Sequence, residues 1–561
     1  MEVSQVTVES IVEDAVSGKL NIPAFQRNFV WNPEQVKRLA ESLYWNYPVG
    51  SFLWWDSSKY PQAKTTQSPE TQFWILDGQQ RTVALCLIFG RKPYWWEDTE
   101  SWNEALERYD VMVNILPDED DDRLEFALPN PVRRRDPRWI SLRRVLTEGI
   151  GSLAREIINK GKFDEKLTKK VEDRLEELKK IRGRIIPVVR IRHEVDDAIE
   201  IFVRLNQEGT RVKEADAILA IIAGLNEDWV RNEFLPFRDR LEDDGWDLDV
   251  GILLRTMTGI GGASAQLKDV TRSFWTPENL PKLWRETQEI IVEVLYLRLP
   301  NYGITSEDLL PSANSLIPLF VLHHRWRSDR SNYRFGRALL WFLRANWDGR
   351  YSGAAITSLN EDIRTIREAK SFDEAIEKLE SRLEVPPEMD KHEFLKPKGR
   401  FSQLMLYLLL FRREARDWLD GTRIGFGRAG EILSGFRPQW HHIYPRNVLK
   451  KGLKEVLKKK WGRDVSENEI NSLINSTANL TILNRKPNIK LGGRLPSDYI
   501  KDIFEEDLRA HLIPEDFIKA KNEGRLKEQW SLERYEEFLD KRAQLLAEEA
   551  NKFFQELENA P

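Results

Sequence analysis

An apolar segment interrupted by polar residues, FWILDGQQRTVAL at residues 73–85, constrains the fold of this chain more than any other stretch. The apolar run FWIL ends at Asp77 and Gly78, and an apolar pattern resumes at Val83 after two glutamines and an arginine. This pattern predicts a buried strand that turns directly into a buried helix.

A strand-to-helix junction of this kind can bind an anion. The free N–H groups and the dipole at a helix N-terminus favour negative charge. Gly78 lets the backbone approach a ligand closely, and Arg81 presents a planar fork to phosphate oxygens. Gln79 and Gln80 can donate from their amides, and Asp77 can hold a cation or a ribose hydroxyl. The pattern favours a nucleotide phosphate site, and an Arg81–Asp77 pair that only closes the turn remains the alternative.

The composition limits the class of protein. The 561 residues are enough for three or four domains, and a 41% apolar and 32% charged chain is typical of a soluble globular protein. Cys86 is the single cysteine, which excludes an intramolecular disulfide and a Cys-only zinc site and fits a reducing cytoplasm. We expect no signal peptide and no membrane span, because the N-terminus is acidic and the apolar runs are short. The net charge of −5 means that nucleic-acid binding must depend on local charge.

The predicted fold class is α+β, mainly helical overall. A capped amphipathic helix is predicted over residues 32–45, which begin with Asn-Pro. Strand patterns occupy residues 50–56, 73–76, 110–116 and 182–192.

The chain is predicted to have three parts. Residues 1–212 mix strand and helix signals, helical periodicity dominates residues 213–399, and residues 400–561 form a third part. The boundary before residue 400 is placed at PPEMDKHEFLKPKGR (386–400), which is rich in proline and charge and predicts a linker.

Two further segments of the first part carry an arginine with amides close by. Gln26 and Arg27 lie in PAFQRNFVW, and Arg204 and Asn206 lie in IFVRLNQEGTRV. Together with DGQQR, these segments could converge on one polyanion.

About residues 1–225 resemble the N-terminal domain of the GmrSD family of type IV restriction proteins. The resemblance rests on four segments in this order: FQRNFVW, ILDGQQR, DVMVNIL and FVRLNQEG. The resemblance implies a ParB/sulfiredoxin-like fold and an NTP-binding and NTP-hydrolysing site, whether for ATP, GTP or another nucleotide. It implies that Asp77 and Arg81 act in catalysis. The nucleotide-site residues that it implies are Gln26, Arg27, Asp77, Gly78, Gln79, Gln80, Arg81, Arg204 and Asn206.

A second motif, HHIYP at residues 441–445, indicates phosphodiester hydrolysis. That reaction needs a base that deprotonates water and a cation that stabilises the charge developing on the phosphate. A neutral imidazole serves as a base near physiological pH. On a strand, the side chains of His441 and His442 face opposite ways, so that a bend is needed for both to share one site.

Roughly residues 400–545 resemble the C-terminal HNH nuclease domain of the same family. The motifs that carry this resemblance are HHIYP, NLTIL (479–483) and the pattern N-x-x-x-G-G that begins at Asn488. This ββα-metal, or His-Me, finger implies that His441 and Asn488 bind a divalent Mg or Mn ion. It also implies that His442 is the general base and that Asn479 braces the loop and orients the imidazole. A His pair that caps a turn is the alternative.

A basic segment follows the histidines. From Arg437 to Arg463, Glu455 is the single acidic residue among many lysines and arginines. A local cationic strip attracts a phosphate backbone, and such binding weakens steeply with salt. A solvated lysine face is the alternative.

Two functions fit these patterns. The first is an NTP-regulated, metal-dependent DNA endonuclease of the type IV restriction kind, which would cleave foreign, modified phage DNA in the cytoplasm. The second is a ParB-like, nucleotide-dependent DNA-binding or regulatory protein with an inactive nuclease scaffold. The oligomeric state, a homo-oligomer included, and RNA as a substrate stay open.

Overall fold

A computed structural model of the chain describes residues 2–22, 29–56, 71–96, 101–116, 123–192, 214–276, 278–329, 331–353, 355–397, 399–427, 429–483 and 493–560. The chain divides into two compact units, Met1–Glu233 and Phe234–Pro561. The predicted division into three parts, at residues 212 and 399, stays a prediction.

The first unit is built around a mixed five-stranded sheet of order β1-β8-β3-β4-β2. β1 pairs with β8 and β3 pairs with β4 in antiparallel fashion, whereas the β3–β8 and β2–β4 pairs are parallel. The strands β6-β5-β7 form a separate antiparallel sheet. The strands described in this unit are β1 Glu2–Thr7, β2 Leu20–Asn21, β3 Phe52–Asp56, β4 Phe73–Asp77, β5 Met112–Asn114, β6 Glu125–Ala127, β7 Trp139–Ser141 and β8 Ile185–Ile191.

The α-helices described in this unit are α1 Val8–Ser17, α2 Pro33–Tyr44, α3 Gln79–Phe89, α4 Trp102–Arg108, α5 Leu142–Thr147, α6 Ile150–Gly161, α7 Glu165–Lys179, α8 Glu214–Leu225 and α9 Glu227–Trp229. Helix α2 begins as predicted, because Asn32 caps it through a reciprocal pair of hydrogen bonds with Gln35. Helix α3 is buried from Thr82 to Phe89 and packs against α1 and α2, which explains its continuous apolar sequence.

The second unit is mainly helical. Its two described strands, β9 Trp440–His442 and β10 Leu480–Ile482, form one antiparallel ribbon. Its described α-helices cover Leu235–Asp243, Val250–Ile260, Leu280–Val292, Leu316–Trp326, Phe335–Asp348, Ala355–Glu368, Phe372–Glu380, His392–Leu395, Arg400–Arg412, Arg446–Trp461, Glu467–Ile474, Pro496–Tyr499, Glu505–Ala510, Glu515–Lys519, Leu526–Gln529 and Tyr535–Asn559.

The α+β fold class with a mainly helical content is confirmed. The strand predictions over residues 50–56, 73–76, 110–116 and 182–192 are confirmed by β3, β4, β5 and β8. The ParB/sulfiredoxin-like and HNH assignments stay predictions. No helix in the described ranges has the length and apolar character needed to cross a membrane.

The segment predicted to be a linker, residues 386–400, contains a helix over His392–Leu395 that packs against the helix Tyr535–Asn559. Phe394 within it is fully buried. This segment is therefore an integral part of the second unit's core.

Replacement of Gly78 by Ala should destabilise the first unit. Gly78 has a φ of +102°, and a Cβ there would lie 2.3 Å from the ring of Phe52. We expect the free energy of unfolding to fall by about 2–4 kcal/mol, from backbone strain and overpacking. Chemical denaturation of the full chain measures the change.

Gly151→Ala is the matched control. Gly151 is exposed on α6, and a Cβ placed there would meet no atom within 4 Å apart from the neighbouring backbone of its own helix. Alanine should therefore be neutral or stabilise the helix by up to about 1 kcal/mol. Equal unfolding midpoints for Gly78→Ala and wild type would contradict the close contact with Phe52.

Candidate functional site

The DGQQR segment lies at a strand-to-helix junction, as predicted. Asp77 ends β4 and is exposed, Gly78 adopts the left-handed conformation, and Gln79 and Gln80 begin α3. No side chain caps the helix from position 78. The N-terminus of α3 therefore provides the positive dipole end that favours an anion.

Arg81 closes this junction through three contacts. Its Nη1 donates to the Val49 carbonyl at 2.7 Å, and its Nη2 donates to Asp77 Oδ2 at 2.8 Å. The guanidinium also lies over the ring of Phe52, 4.6 Å from the ring centroid. Its side chain is only 17% exposed. The Arg81–Asp77 pair that closes the turn is thus present, and the nucleotide role of Arg81 stays a prediction.

Gln80 anchors a second segment to the junction. Its Oε1 accepts a hydrogen bond from the Val30 amide at 2.8 Å. The residues predicted to complete the nucleotide site from that side, Gln26 and Arg27, lie outside the described residues. Arg204 and Asn206 do so as well, and the convergence of the three segments stays a prediction.

The two histidines of HHIYP lie on β9, and the NLTIL segment supplies its partner β10. His441 is opposite Thr481 and His442 is opposite Leu480 in the antiparallel register. His441 is buried, whereas His442 is half-buried. This difference is what alternating faces of a strand produce.

Aromatic rings surround His441. Trp418 and Tyr499 lie with their ring centroids 5.9 and 6.2 Å from that of His441, both close to perpendicular to it. The Tyr499 hydroxyl donates to the Ile443 carbonyl at 2.6 Å. These contacts fix the segment that carries both histidines.

Asn479 binds the backbone that follows the histidines. Its Oδ1 accepts from the Tyr444 amide at 2.9 Å, and its Nδ2 donates to the carbonyls of Tyr444 and Ile474 at 3.2 and 3.0 Å. The side chain is fully buried. Asn479 therefore braces the bend after β9, and these three side-chain hydrogen bonds all go to main-chain groups.

Asn488, the second predicted metal ligand, lies outside the described residues. Within the described ranges, no group of three or more His, Cys, Asp or Glu side chains could hold a metal ion. An imidazole and an amide oxygen are a donor pair that suits Mn²⁺ and other first-row metals more readily than Mg²⁺. The pairing of His441 with Asn488 around an ion stays a prediction.

Two buried residues that the sequence interpretation missed support this ribbon. His511 Nε2 donates to the Arg416 carbonyl at 2.8 Å, and its Nδ1 therefore accepts from the Thr481 hydroxyl at 2.6 Å. Burial lowers the pKa of His511 to about 3. His511 is thus neutral at physiological pH and positions Thr481, the register partner of His441.

Arg542 is the second of these residues. Its Nη1 donates to the carbonyls of Ala478 and Leu480 at 2.6 and 2.7 Å, and its Nη2 donates to the His511 carbonyl at 3.1 Å. These contacts flank Asn479 on both sides. Burial lowers the pKa of Arg542 to about 9, so it stays charged at neutral pH. The sequence signal that could have identified Arg542 is the presence of an arginine within the apolar stripe of the helix Tyr535–Asn559.

The basic segment after HHIYP forms the helix Arg446–Trp461. Leu449, Leu453 and Leu457 are its buried face. The lysines that line its exposed face are Lys450, Lys451, Lys454, Lys458, Lys459 and Lys460. Lys458 and Lys460 pair with Asp464 and Glu536, which leaves most of the strip's charge available to a ligand.

Comparison with known proteins identifies the first unit. Residues 8–223 match the family described as the GmrSD restriction endonuclease, N-terminal domain. These residues are a GmrSD N-terminal domain. The predicted resemblance of the N-terminal part to this family is therefore confirmed, and the chain carries a domain of restriction endonucleases. The resemblance of the C-terminal part to the HNH domain of the family stays a prediction. The match includes β2–β4, α3 and the DGQQR junction.

The relationship extends beyond the GmrSD N-terminal domain. An uncharacterised protein of Methanocaldococcus jannaschii is 20% identical to this chain, over 96% of this chain and 97% of its own length. The alignment therefore includes both the GmrSD N-terminal domain and the unit that carries HHIYP.

Replacement of Arg542 by Met should destabilise the second unit. The change removes the N–H donors of three buried carbonyl groups, and each loss costs about 1 kcal/mol or more. We expect the free energy of unfolding to fall by about 3 kcal/mol. Urea denaturation of the full chain measures it.

Lys541→Met is the control, because the neighbouring Lys541 is 44% exposed and pairs only with surface carboxylates. Its loss should cost no more than about 1 kcal/mol. Similar losses in the free energy of unfolding for the Arg542→Met and Lys541→Met proteins would show that the buried guanidinium does not stabilise β10.

Proposed function

We propose that the chain is an NTP-regulated, metal-dependent DNA endonuclease of the type IV restriction kind, which acts in defence against phage. One observation carries the proposal: a GmrSD N-terminal domain and a braced histidine ribbon beside a lysine-rich helix occur in one chain. A restriction endonuclease family implies DNA as the substrate. The lysine-rich helix adds a cationic surface of the kind that phosphate backbones bind.

His442 is proposed as the general base that deprotonates the attacking water. It lies on the half-buried face of β9, whereas His441 lies on the buried face. A divalent ion held by His441 and Asn488 would stabilise the negative charge that develops on the phosphate. Asn479, which braces the bend after His442, would keep the imidazole in a fixed orientation.

The DGQQR junction is proposed as part of the NTP site. The main-chain N–H groups at the start of α3 and the fork of Arg81 would bind the phosphates, while Asp77 and Gln79 would contact a cation or the sugar. The residues that the family resemblance adds to this site are Gln26, Arg27, Gly78, Gln80, Arg204 and Asn206. A triphosphate at this junction would compete with Asp77 for one edge of the Arg81 guanidinium, which gives nucleotide binding a way to alter the β4–α3 turn.

Replacement of His442 by Ala should abolish DNA cleavage and leave NTP hydrolysis intact. Loss of a general base lowers the rate of such reactions by about 10²-fold or more. Nicking of supercoiled DNA with Mg²⁺ or Mn²⁺ measures the first activity, and phosphate release measures the second.

His392→Ala is the control for this prediction, since His392 is 76% exposed and pairs only weakly, with Asp390. It should cleave DNA as the wild type does. Full cleavage by His442→Ala would assign the nicking to another site. Absence of cleavage in the wild-type chain itself would favour the nucleotide-dependent DNA-binding or regulatory function.

Replacement of Arg81 by Ala should impair the nucleotide site and uncouple it from cleavage. Loss of charged hydrogen bonds to phosphate weakens nucleotide affinity by about 10- to 100-fold. In the wild type, NTP should change the rate of DNA cleavage, and in the variant this difference should disappear. Nucleotide titration and paired cleavage assays with and without NTP measure both effects.

Arg91→Ala, just beyond the other end of α3, is the matched control, because Arg91 makes only a 3.8 Å ion pair with Glu13. Thermal unfolding of the Arg81→Ala protein separates loss of the nucleotide site from loss of the turn. Wild-type cleavage at the same rate with and without NTP would refute nucleotide regulation.

A further inference from the structure

An arginine-rich segment of the GmrSD N-terminal domain plays no part in the sites described above. Residues 130–160 contain eight Arg or Lys residues and three Asp or Glu residues, in a chain whose net charge is −5. The segment runs from the turn after β6, through β7 and α5, to the end of α6. Positive charge is therefore concentrated on one part of this domain.

The turn between β6 and β7 has a defined conformation. The Asn130 side chain accepts from the Arg133 amide at 2.8 Å, and its carbonyl accepts from the Arg134 amide at 3.0 Å. Arg133 packs over the ring of Trp139, with its guanidinium carbon 4.9 Å from the ring centroid. The backbone that presents the following arginines is thus fixed before any ligand binds.

Arg134 and Arg135 are exposed at this turn. Among the described residues, no carboxylate forms an ion pair with either guanidinium. The acidic residue of the turn, Asp136, instead pairs with Arg138 at 2.8 Å. Two arginines consequently present their full charge to solvent.

A cavity of about 340 Å³ adjoins the turn, and Arg134, Arg143, Arg144 and Lys160 contribute its cationic lining. Its two acidic lining residues are already neutralised. Asp110 pairs with Arg143 at 3.2 Å, and Glu156 pairs with Arg144 at 2.7 Å. Arg134 and Lys160 are therefore the lining charges that remain available to an anion.

We infer that this surface, the turn of residues 130–138 together with the cavity beside it, binds the sugar–phosphate backbone of DNA. Arginine forks match phosphate oxygens, and unpaired cations attract a polyanion over several ångströms. The available charges lie on separate elements, the β6–β7 turn and α6. This distribution suits successive phosphates of a chain better than a single small anion.

The inference rests on the proposed function only in naming DNA as the polyanion. It assigns a DNA contact to residues of the GmrSD N-terminal domain other than those of the DGQQR junction. Because backbone contacts carry no base information, this surface would hold DNA irrespective of sequence.

The test is DNA binding by the full chain in which both exposed arginines are replaced, Arg134→Gln with Arg135→Gln. Binding of a duplex oligonucleotide is measured by fluorescence anisotropy in EDTA, over a range of salt concentrations, so that no cleavage occurs. Loss of two phosphate contacts should weaken binding and reduce the slope of log affinity against log salt by about 2.

Two further variants make the result specific. Arg134→Lys with Arg135→Lys keeps the charge and should retain most of the affinity and the salt slope. Lys169→Gln with Lys180→Gln removes the same charge from exposed positions of the same unit that do not line the cavity, and should bind as the wild type does.

Unchanged affinity and salt slope in the Arg134→Gln, Arg135→Gln protein would overturn the inference, and so would an equal loss in the Lys169→Gln, Lys180→Gln protein. Preferential loss of RNA rather than DNA binding would also overturn it. DNA cleavage is measured separately. A chain that binds DNA through this surface but never cuts it would refute the proposed endonuclease and leave the contact surface standing.

Discussion

The candidate site histidines, His441 and His442, lie on β9, which pairs with β10 in a ribbon of two three-residue strands, and a ribbon so short is not stable by itself. Other groups must therefore hold it in place. Asn479 fixes the bend that follows β9 through the main chain of Tyr444, and Arg542 holds the carbonyls on both sides of Asn479. The geometry of any active site at His442 depends on these two buried side chains.

The polar groups beneath the ribbon are buried at a cost that hydrogen bonds offset. His511 is held between Thr481 and the Arg416 carbonyl, and burial keeps it neutral. A charged imidazole there would repel a cation near His441. A neutral His511 thus supports the ribbon through its hydrogen bonds without adding a positive charge beside His441.

The β4–α3 junction combines a structural role with a proposed binding role. Phe52 lies between Gly78 and the guanidinium of Arg81, and Arg81 ties the turn to Val49. The backbone conformation that only glycine adopts readily brings the helix N-terminus close to this ring. A ligand that binds Arg81 would act directly on a packed element of the sheet, and its binding could be transmitted to the rest of the domain.

The sequence by itself determined the local features of both units. The Asn32 cap of α2 and the strand-to-helix turn at Gly78 follow from patterns within a few residues. Such patterns are readable because hydrogen bonds at a cap or a turn join near neighbours in the chain. The arginine-rich and lysine-rich segments can likewise be recognised from the amino-acid composition of the sequence.

Only the tertiary structure decided which distant groups complete each site. Arg81 contacts Val49 and Gln80 contacts Val30, while His511 and Arg542 support β10. These contacts join residues 30 to 62 positions apart. The tertiary structure also decided that Asp110 pairs with Arg143 and Glu156 pairs with Arg144. Arg134 is left exposed. A pattern of residue types cannot reveal these partners, because their choice depends on how whole helices and strands pack.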